Sequence, residues 1–156
     1  MHDMTDLKNL ARQRCLGHAA AKAARAITRS YNQKLREVGL TAGQFGLLVA
    51  IDAMPSDSMA ALADATGTDE STVVRGIKPL ERRGLVERTG SLGRAGRGAR
   101  LTPSGQVILE KALTDWSLAY QRVVDGLGGG AEADRVLTAL EDLFKAATLQ
   151  VDSRST

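Results

Sequence analysis

The sequence predicts a mainly α-helical fold carrying one small β-hairpin, and three observations predict it. Apolar residues recur at helical spacing through most of the 156-residue chain. Glycine, proline and short hydroxyl or acidic side chains stand where helices start and stop. One short, partly alternating stretch, Leu85-Val86-Glu87-Arg88-Thr89, precedes a glycine-rich segment and reads as a strand. The chain is 43% hydrophobic and 25% charged, an ordinary globular profile of one domain.

The first element is a long helix from about Leu7 to Val38. Leu16, Ala20, Ala23, Ile27, Tyr31, Leu35 and Val38 step by three or four and form one stripe. Gly39 is its stop. Thr41 caps a second helix with Gln44 three residues on, the pattern of a capping box. Phe45, Leu48 and Val49 are its buried side, with Ile51 near the end, and Met54-Pro55-Ser56-Asp57 breaks it. Ser58 caps a short helix whose Met59, Leu62 and Ala63 face inward, and Gly67 closes it. Thr68 or Asp69 caps the next helix, which runs to about Arg83 on an apolar face of Val73, Val74, Ile77 and Leu80. Pro79 lies inside it and deletes the backbone bond to the Arg75 carbonyl, so a bend near Arg75 is expected. Two short helices joined by a tight, glycine-containing link read as a helix-turn-helix.

After Gly84 comes the strand Leu85–Thr89. Gly90 to Gly98 holds four glycines and two arginines and reads as a hairpin tip, with Arg100-Leu101-Thr102 as the returning strand. Thr102-Pro103 is an N-cap followed by proline at the first helical position. A long helix to about Leu127 follows, anchored by Val107, Ile108, Leu113, Trp116, Tyr120, Val123 and Val124. Gly128-Gly129-Gly130 breaks it. A last helix, 131–150, carries Val136, Leu140, Leu143, Phe144 and Ala147 as its stripe. The terminal helices have more apolar surface than one small domain covers, which predicts a homodimer.

Composition excludes several classes of function. No apolar run approaches the ~20 residues of a membrane span, and the N-terminus lacks the apolar core of a signal peptide. Both point to a cytoplasmic protein with no membrane partner. One cysteine and two histidines leave no disulfide framework and no zinc site. Aromatics at 3% are too few for a single-strand stacking platform. No nucleophile–base constellation and no HExxH pattern is present, and GSLGRAGRG lacks the GK[ST] of a phosphate loop. The chain reads as a non-enzyme without cofactor or metal.

Charge is distributed in blocks. Residues 39–70 hold five acids and no Lys or Arg, whereas residues 71–100 hold eight basic groups and two acids. Fifteen of the 21 basic residues are Arg, which suits planar recognition of phosphate or guanine. A basic block beside an acidic one points to a polyanionic partner.

Four strings, in this order, resemble the MarR family of winged helix-turn-helix regulators over about residues 15–148. They are GLTAGQFGLL, TDESTVVRGIKPLERRGLVER, the Arg-Gly hairpin tip and LTPSG. The resemblance implies a winged helix-turn-helix at 41–103 flanked by N- and C-terminal dimerisation helices, 1–38 and 104–150. It implies a dimeric regulator of transcription on a pseudo-palindromic duplex-DNA site, a repressor released by a small aromatic or anionic ligand. The helix face agrees, since short polar side chains and arginine at the start of a recognition helix suit the major groove. Arg75 is expected to read a base, and Ser71, Thr72 and Lys78 to contact phosphates, or a base edge for the shorter two.

Arg94, Arg97 and Arg100 are the candidates for the minor groove. The family's wing has an Asp-x-Arg whose acid fixes the arginine, and no Asp lies between Gly90 and Thr102 here. Which arginine inherits that role stays open, and a looser wing is expected. For a ligand, the candidates are His18, Arg25, Tyr31 and Trp116, with core packing the competing role for Tyr31 and Trp116. Cys15 is a candidate redox switch of the same fold. It stands two residues from the position where hydroperoxide-sensing relatives carry their cysteine, which here is Gly17. A further alternative is a winged-helix module for protein interaction without a specific DNA site.

Overall fold

The computed structural model describes residues 3–54, 58–90 and 98–152. The chain divides into two compact units, Met1–Trp116 and Ser117–Thr156.

The first unit opens with two helices where one was expected. Helix α1 spans Met4–Arg14 and α2 spans Leu16–Leu35. Between them Cys15 is extended (φ −72°, ψ 105°), and its sulfur accepts the His18 backbone N–H at 3.4 Å, capping α2. The apolar stripe does not register this break, because it begins at Leu16, the first residue of α2. A 3-10 turn at Arg36–Val38 ends α2, and Gly39 takes the left-handed conformation (φ 69°) that lets the chain reverse. Asn32 Oδ1 accepts the Ala42 N–H at 2.6 Å, tying α2 to the start of α3 (Ala42–Ala53).

The capping box at Thr41 and Gln44 forms in both directions, at 3.2 and 3.0 Å. The buried face of α3 is Phe45, Leu47, Leu48 and Ile51, and Val49 is 38% exposed. The sequence reading had Val49 inside and passed over Leu47. In the run Leu47-Leu48-Val49 spacing alone does not choose. The choice falls to the glycine at position 76, where a Cβ would lie 2.5 Å from Leu47 Cδ1.

Helix α4 (Met59–Thr66) is capped by Ser58 and closed by Gly67 in the left-handed conformation. Helix α5 (Glu70–Arg82) is capped by Asp69 rather than Thr68 and runs unbroken through Pro79. It buries Val73, Ile77 and Leu80 completely, each contributing about 1.5–3 kcal/mol by leaving water. The hairpin strands are β1 (Val86–Thr89) and β2 (Gly98–Leu101), antiparallel, with Val86 opposite Leu101 and Glu87 opposite Arg100. Each differs from expectation at its ends. Leu85 is spent on the turn from α5, its N–H bonded to the Leu80 carbonyl, and Thr102 is spent on capping the next helix.

That helix, α6 (Pro103–Leu127), runs across the unit boundary. Thr102 Oγ1 donates to the Gly84 carbonyl at 2.6 Å and accepts the Gly105 N–H at 3.0 Å. The start of α6 approaches β1 so closely that a Cβ on Gly105 would sit 1.9 Å from the Leu85 carbonyl oxygen. In the second unit, Gly128 and Gly129 (φ 104° and 116°) turn the chain into α7 (Gly130–Asp152). Ala119, Val124 and Ala133 are buried there, while Val136, Leu137, Leu140 and Phe144 are 40–55% exposed.

Because the obstacle at Gly105 is backbone, no side chain can yield to a methyl there. Gly105→Ala is expected to lower unfolding stability by at least ~1–3 kcal/mol. The exposed neighbour Gln106→Ala should change it by less than about 0.5 kcal/mol. Urea denaturation of the two variants checks this.

Candidate nucleic-acid interface

The first turn of α5 is organised by Asp69. Its carboxylate accepts the Thr72 backbone N–H at 2.9 Å, the Thr72 hydroxyl at 2.8 Å and the Ser71 hydroxyl. These donors, Ser71 foremost, hold the Asp69 carboxyl well below the usual carboxylate range. Thr72 Oγ1 in turn accepts an N–H from Arg75 Nη2 at 3.0 Å. Ser71, Thr72, Arg75 and Lys78 are all exposed, while Val73, Ile77 and Leu80 hold the opposite side of the helix in the core. The structure therefore brings the four helix candidates onto one outward surface and links Ser71, Thr72 and Arg75 through a residue read from the sequence only as a cap.

The far end of α5 is fixed by arginines that the sequence reading counted in the basic block. Arg83 donates to the Gly39 carbonyl at 2.6 Å, joining the end of α5 to the turn before α3. Arg88 on β1 grips Glu81 with two nitrogens, at 2.8 and 3.3 Å, and both side chains are roughly three-quarters covered. A forked guanidinium on a carboxylate sets direction as well as distance. This pair locks the hairpin to the helix. The seven-residue spacing of Glu81 and Arg88 gives no sequence signal, because the two lie on different elements.

On the hairpin, Arg100 Nε meets Glu87 Oε1 at 2.7 Å across the register pair. The acid absent from the hairpin loop is thus met, for Arg100, from the opposite strand. Both side chains are largely exposed, so the pair orients more than it stabilises. Arg94 and Arg97 lie outside the described residues.

The ligand candidates divide. Trp116 stacks on Phe45 (centroids 5.8 Å apart, 27° between planes) and meets Tyr31 edge-on at 6.1 Å. Tyr31 and Trp116 are half-buried against the core, whereas His18 and Arg25 are exposed on α2. A groove of about 850 Å³ runs instead between α3 and α5, past Gly43, Gly46, Ala50, Thr72 and Gly76, and none of the four candidates lines it. Cys15 is exposed and in no disulfide. Among the described residues no three His, Cys, Asp or Glu side chains gather as a metal site would require, and no helix is long and apolar enough to cross a membrane.

Residues 38–98 match the model of the MarR family. The whole fold is similar to the transcriptional regulator MosR of M. tuberculosis solved in complex with DNA, at 28% identity and a TM-score of 0.78, covering 87% of this chain and 98% of that one. It is also similar to BpsR of Bordetella bronchiseptica, whose DNA binding is regulated by 6-hydroxynicotinic acid (25% identity, TM-score 0.72, 83% and 93% covered). A third is PcaV of Streptomyces coelicolor, solved with its natural ligand (25% identity, TM-score 0.72, 89% and 96% covered). No curated protein sequence matches the chain.

Asp69 accepts its three hydrogen bonds best while ionised. A lowered folded-state pKa means that its stabilisation is full above the unfolded value of about 3.9 and is lost as pH falls toward the folded one. Asp69→Ala is expected to lower the thermal midpoint at neutral pH. The gap from the parent chain should close as pH drops below about 4, followed by circular dichroism melts across that range.

Proposed function

We propose that this MarR-family winged-helix protein is a homodimeric, sequence-specific duplex-DNA-binding repressor, acting in the cytoplasm and released by a small aromatic or anionic ligand. The observation that carries the DNA reading is the surface of α5. Ser71, Thr72, Arg75 and Lys78 face outward from a helix whose other side is fully buried and whose end is clamped to the hairpin by Glu81 and Arg88. Rigid seating is what a reading helix needs, because a base contact is specific only if its donors arrive at fixed positions. MosR, of similar fold, was solved in complex with DNA, which supports a DNA partner.

The dimer reading rests on exposed apolar side chains of the terminal helices. Met4, Leu7 and Leu10 on α1, and Leu137, Leu140 and Phe144 on α7, are 41–63% exposed. Burying such stripes against a second copy gives two reading helices, and a two-fold arrangement reads a palindrome with half-sites roughly 34–36 Å apart. The ligand reading is supported by the groove between α3 and α5. Its small side chains leave about 850 Å³, within the ~300–1,000 Å³ usual for small-molecule sites. BpsR and PcaV are relatives of the same fold with small-molecule ligands.

Selection of bound duplexes from a random library tests the DNA reading, and a palindrome with half-sites one turn apart is expected. Arg75→Ala should cost about 1–3 kcal/mol and relax one base position. Lys78→Ala should weaken all duplexes alike and reduce the salt slope by about one. Binding with no enriched sequence overturns the reading in favour of an interaction module.

The groove is tested with Gly46→Met. A Cβ at Gly46 meets nothing within 4 Å, so the side chain should fill the groove without disturbing the fold. DNA affinity is expected to stay within about threefold, less than 1 kcal/mol. Release by aromatic carboxylates, 6-hydroxynicotinic acid among them, should be lost. A variant that still responds places the ligand elsewhere.

A further inference from the structure

We propose that Asp69 sets the hydrogen-bonding polarity of the reading helix, so that Ser71 meets DNA as an acceptor and recognises an exocyclic amino group, adenine N6 or cytosine N4, in the major groove. This rests on the DNA reading above and goes beyond it by assigning a base class to one side chain.

The argument is a count of protons. A hydroxyl carries one proton and two lone pairs, and an ionised carboxylate only accepts. Ser71 Oγ and Thr72 Oγ1 both bond to the Asp69 carboxylate, so each spends its only proton there. Thr72 Oγ1 then accepts from Arg75 Nη2, which fits an oxygen whose proton is already committed. What remains for a partner on Ser71 is lone pairs alone. A phosphate oxygen is also only an acceptor, and two acceptors do not bond. The major groove offers two kinds of donor, the amino groups of adenine and cytosine.

The same network bears on its neighbours. The Asp69 charge repels backbone phosphates and steers this turn toward base edges. The bond to Thr72 holds the Arg75 guanidinium at one nitrogen and leaves further N–H groups of the fork for guanine O6 and N7. Asp69 is thus a positioning residue that acts through Ser71 and Arg75. Of the two contacts the sequence leaves open for Ser71, phosphate or base edge, the proposal takes the base edge.

The test compares duplexes selected by the full-length parent, Ser71→Ala and Asp69→Gly. Asn would not serve, because the oxygen that keeps the Thr72 N–H cap is the one that takes the Ser71 proton. Glycine is tolerated at a helix N-cap nearly as well as Asp, so Asp69→Gly keeps the fold, and with no carboxylate the Ser71 proton is released. The parent is expected to prefer adenine or cytosine at one half-site position. Ser71→Ala should lose that preference by about three- to tenfold, the worth of one hydrogen bond. Asp69→Gly should move the same position toward guanine or thymine, whose groove edges accept, while the guanine read by Arg75 stays.

Uniform weakening of every duplex in both variants, with an unchanged base pattern, overturns the proposal and leaves Asp69 a helix cap. A preference lost in Ser71→Ala but kept in Asp69→Gly overturns it too. If the parent itself enriches no sequence, the DNA reading fails and this inference falls with it, which separates the two failures.

Discussion

The close approach of α5 to α3 is the constraint on which the rest of the molecule depends. It includes one tight point, where Leu47 lies against the bare backbone of Gly76. A glycine in mid-helix costs about 1 kcal/mol in propensity, and here that cost is offset by packing. With no side chain at 76, Leu47 becomes buried and the face of Val73, Ile77 and Leu80 reaches the core intact. The outward direction of Ser71, Thr72, Arg75 and Lys78 follows from that seating, since a helix fixed on one side presents the other.

Polar ties complete what the apolar contact begins, and they take up much of the basic block. Arg83 goes to the Gly39 carbonyl, Arg88 to Glu81 and Arg100 to Glu87. The charge that marks the segment as a polyanion partner is thus partly structural. The division is sensible energetically. Arg88, about three-quarters covered, gives its donors to Glu81, whereas Lys78 and Arg75 are exposed at the surface. Arg100 lies between these cases, exposed but oriented.

Much of this was legible in the sequence because it is local. The capping box at Thr41, the glycine stops at Gly39 and Gly67, the cap at Thr102 and the apolar face of α5 each depend on residues within a turn of one another. The LTPSG string was legible as a helix start, yet its glycine serves a different end, the clearance of the Leu85 carbonyl. What escaped depends on contacts between elements. Leu47 and Val49 exchange roles because of Gly76, Glu81 finds Arg88 on the neighbouring strand, and Glu87 finds Arg100 across the hairpin. The break at Cys15 escaped for another reason, since the stripe begins only at Leu16 and the cap is a sulfur, which is not among the usual capping side chains. Of the candidate ligand residues, Tyr31 and Trp116 were legible as core candidates, but their edge-on contact and the groove were not. The groove runs between elements, and it is opened partly by Gly43, Gly46 and Gly76, which have no side chain for periodicity to read.

The groove and the reading surface share a helix. Thr72, Val73, Gly76 and Pro79 line one side of the groove, and Thr72 is also the hydrogen-bond partner that holds Arg75. On the proposed function, a molecule in the groove would touch Thr72, which holds the arginine proposed to read a base. Its effect on DNA binding equals its preference for one arrangement of α5 over another, and DNA exerts the reciprocal effect on it. Pro79 matters here because it leaves the Arg75 carbonyl without its helical donor. The turn following the reading residues is held by one backbone bond fewer than the rest of α5. Adjustment of the helix thus costs least between Arg75 and Pro79, beside the groove, while the Asp69 cap and the Glu81–Arg88 clamp keep its two ends fixed.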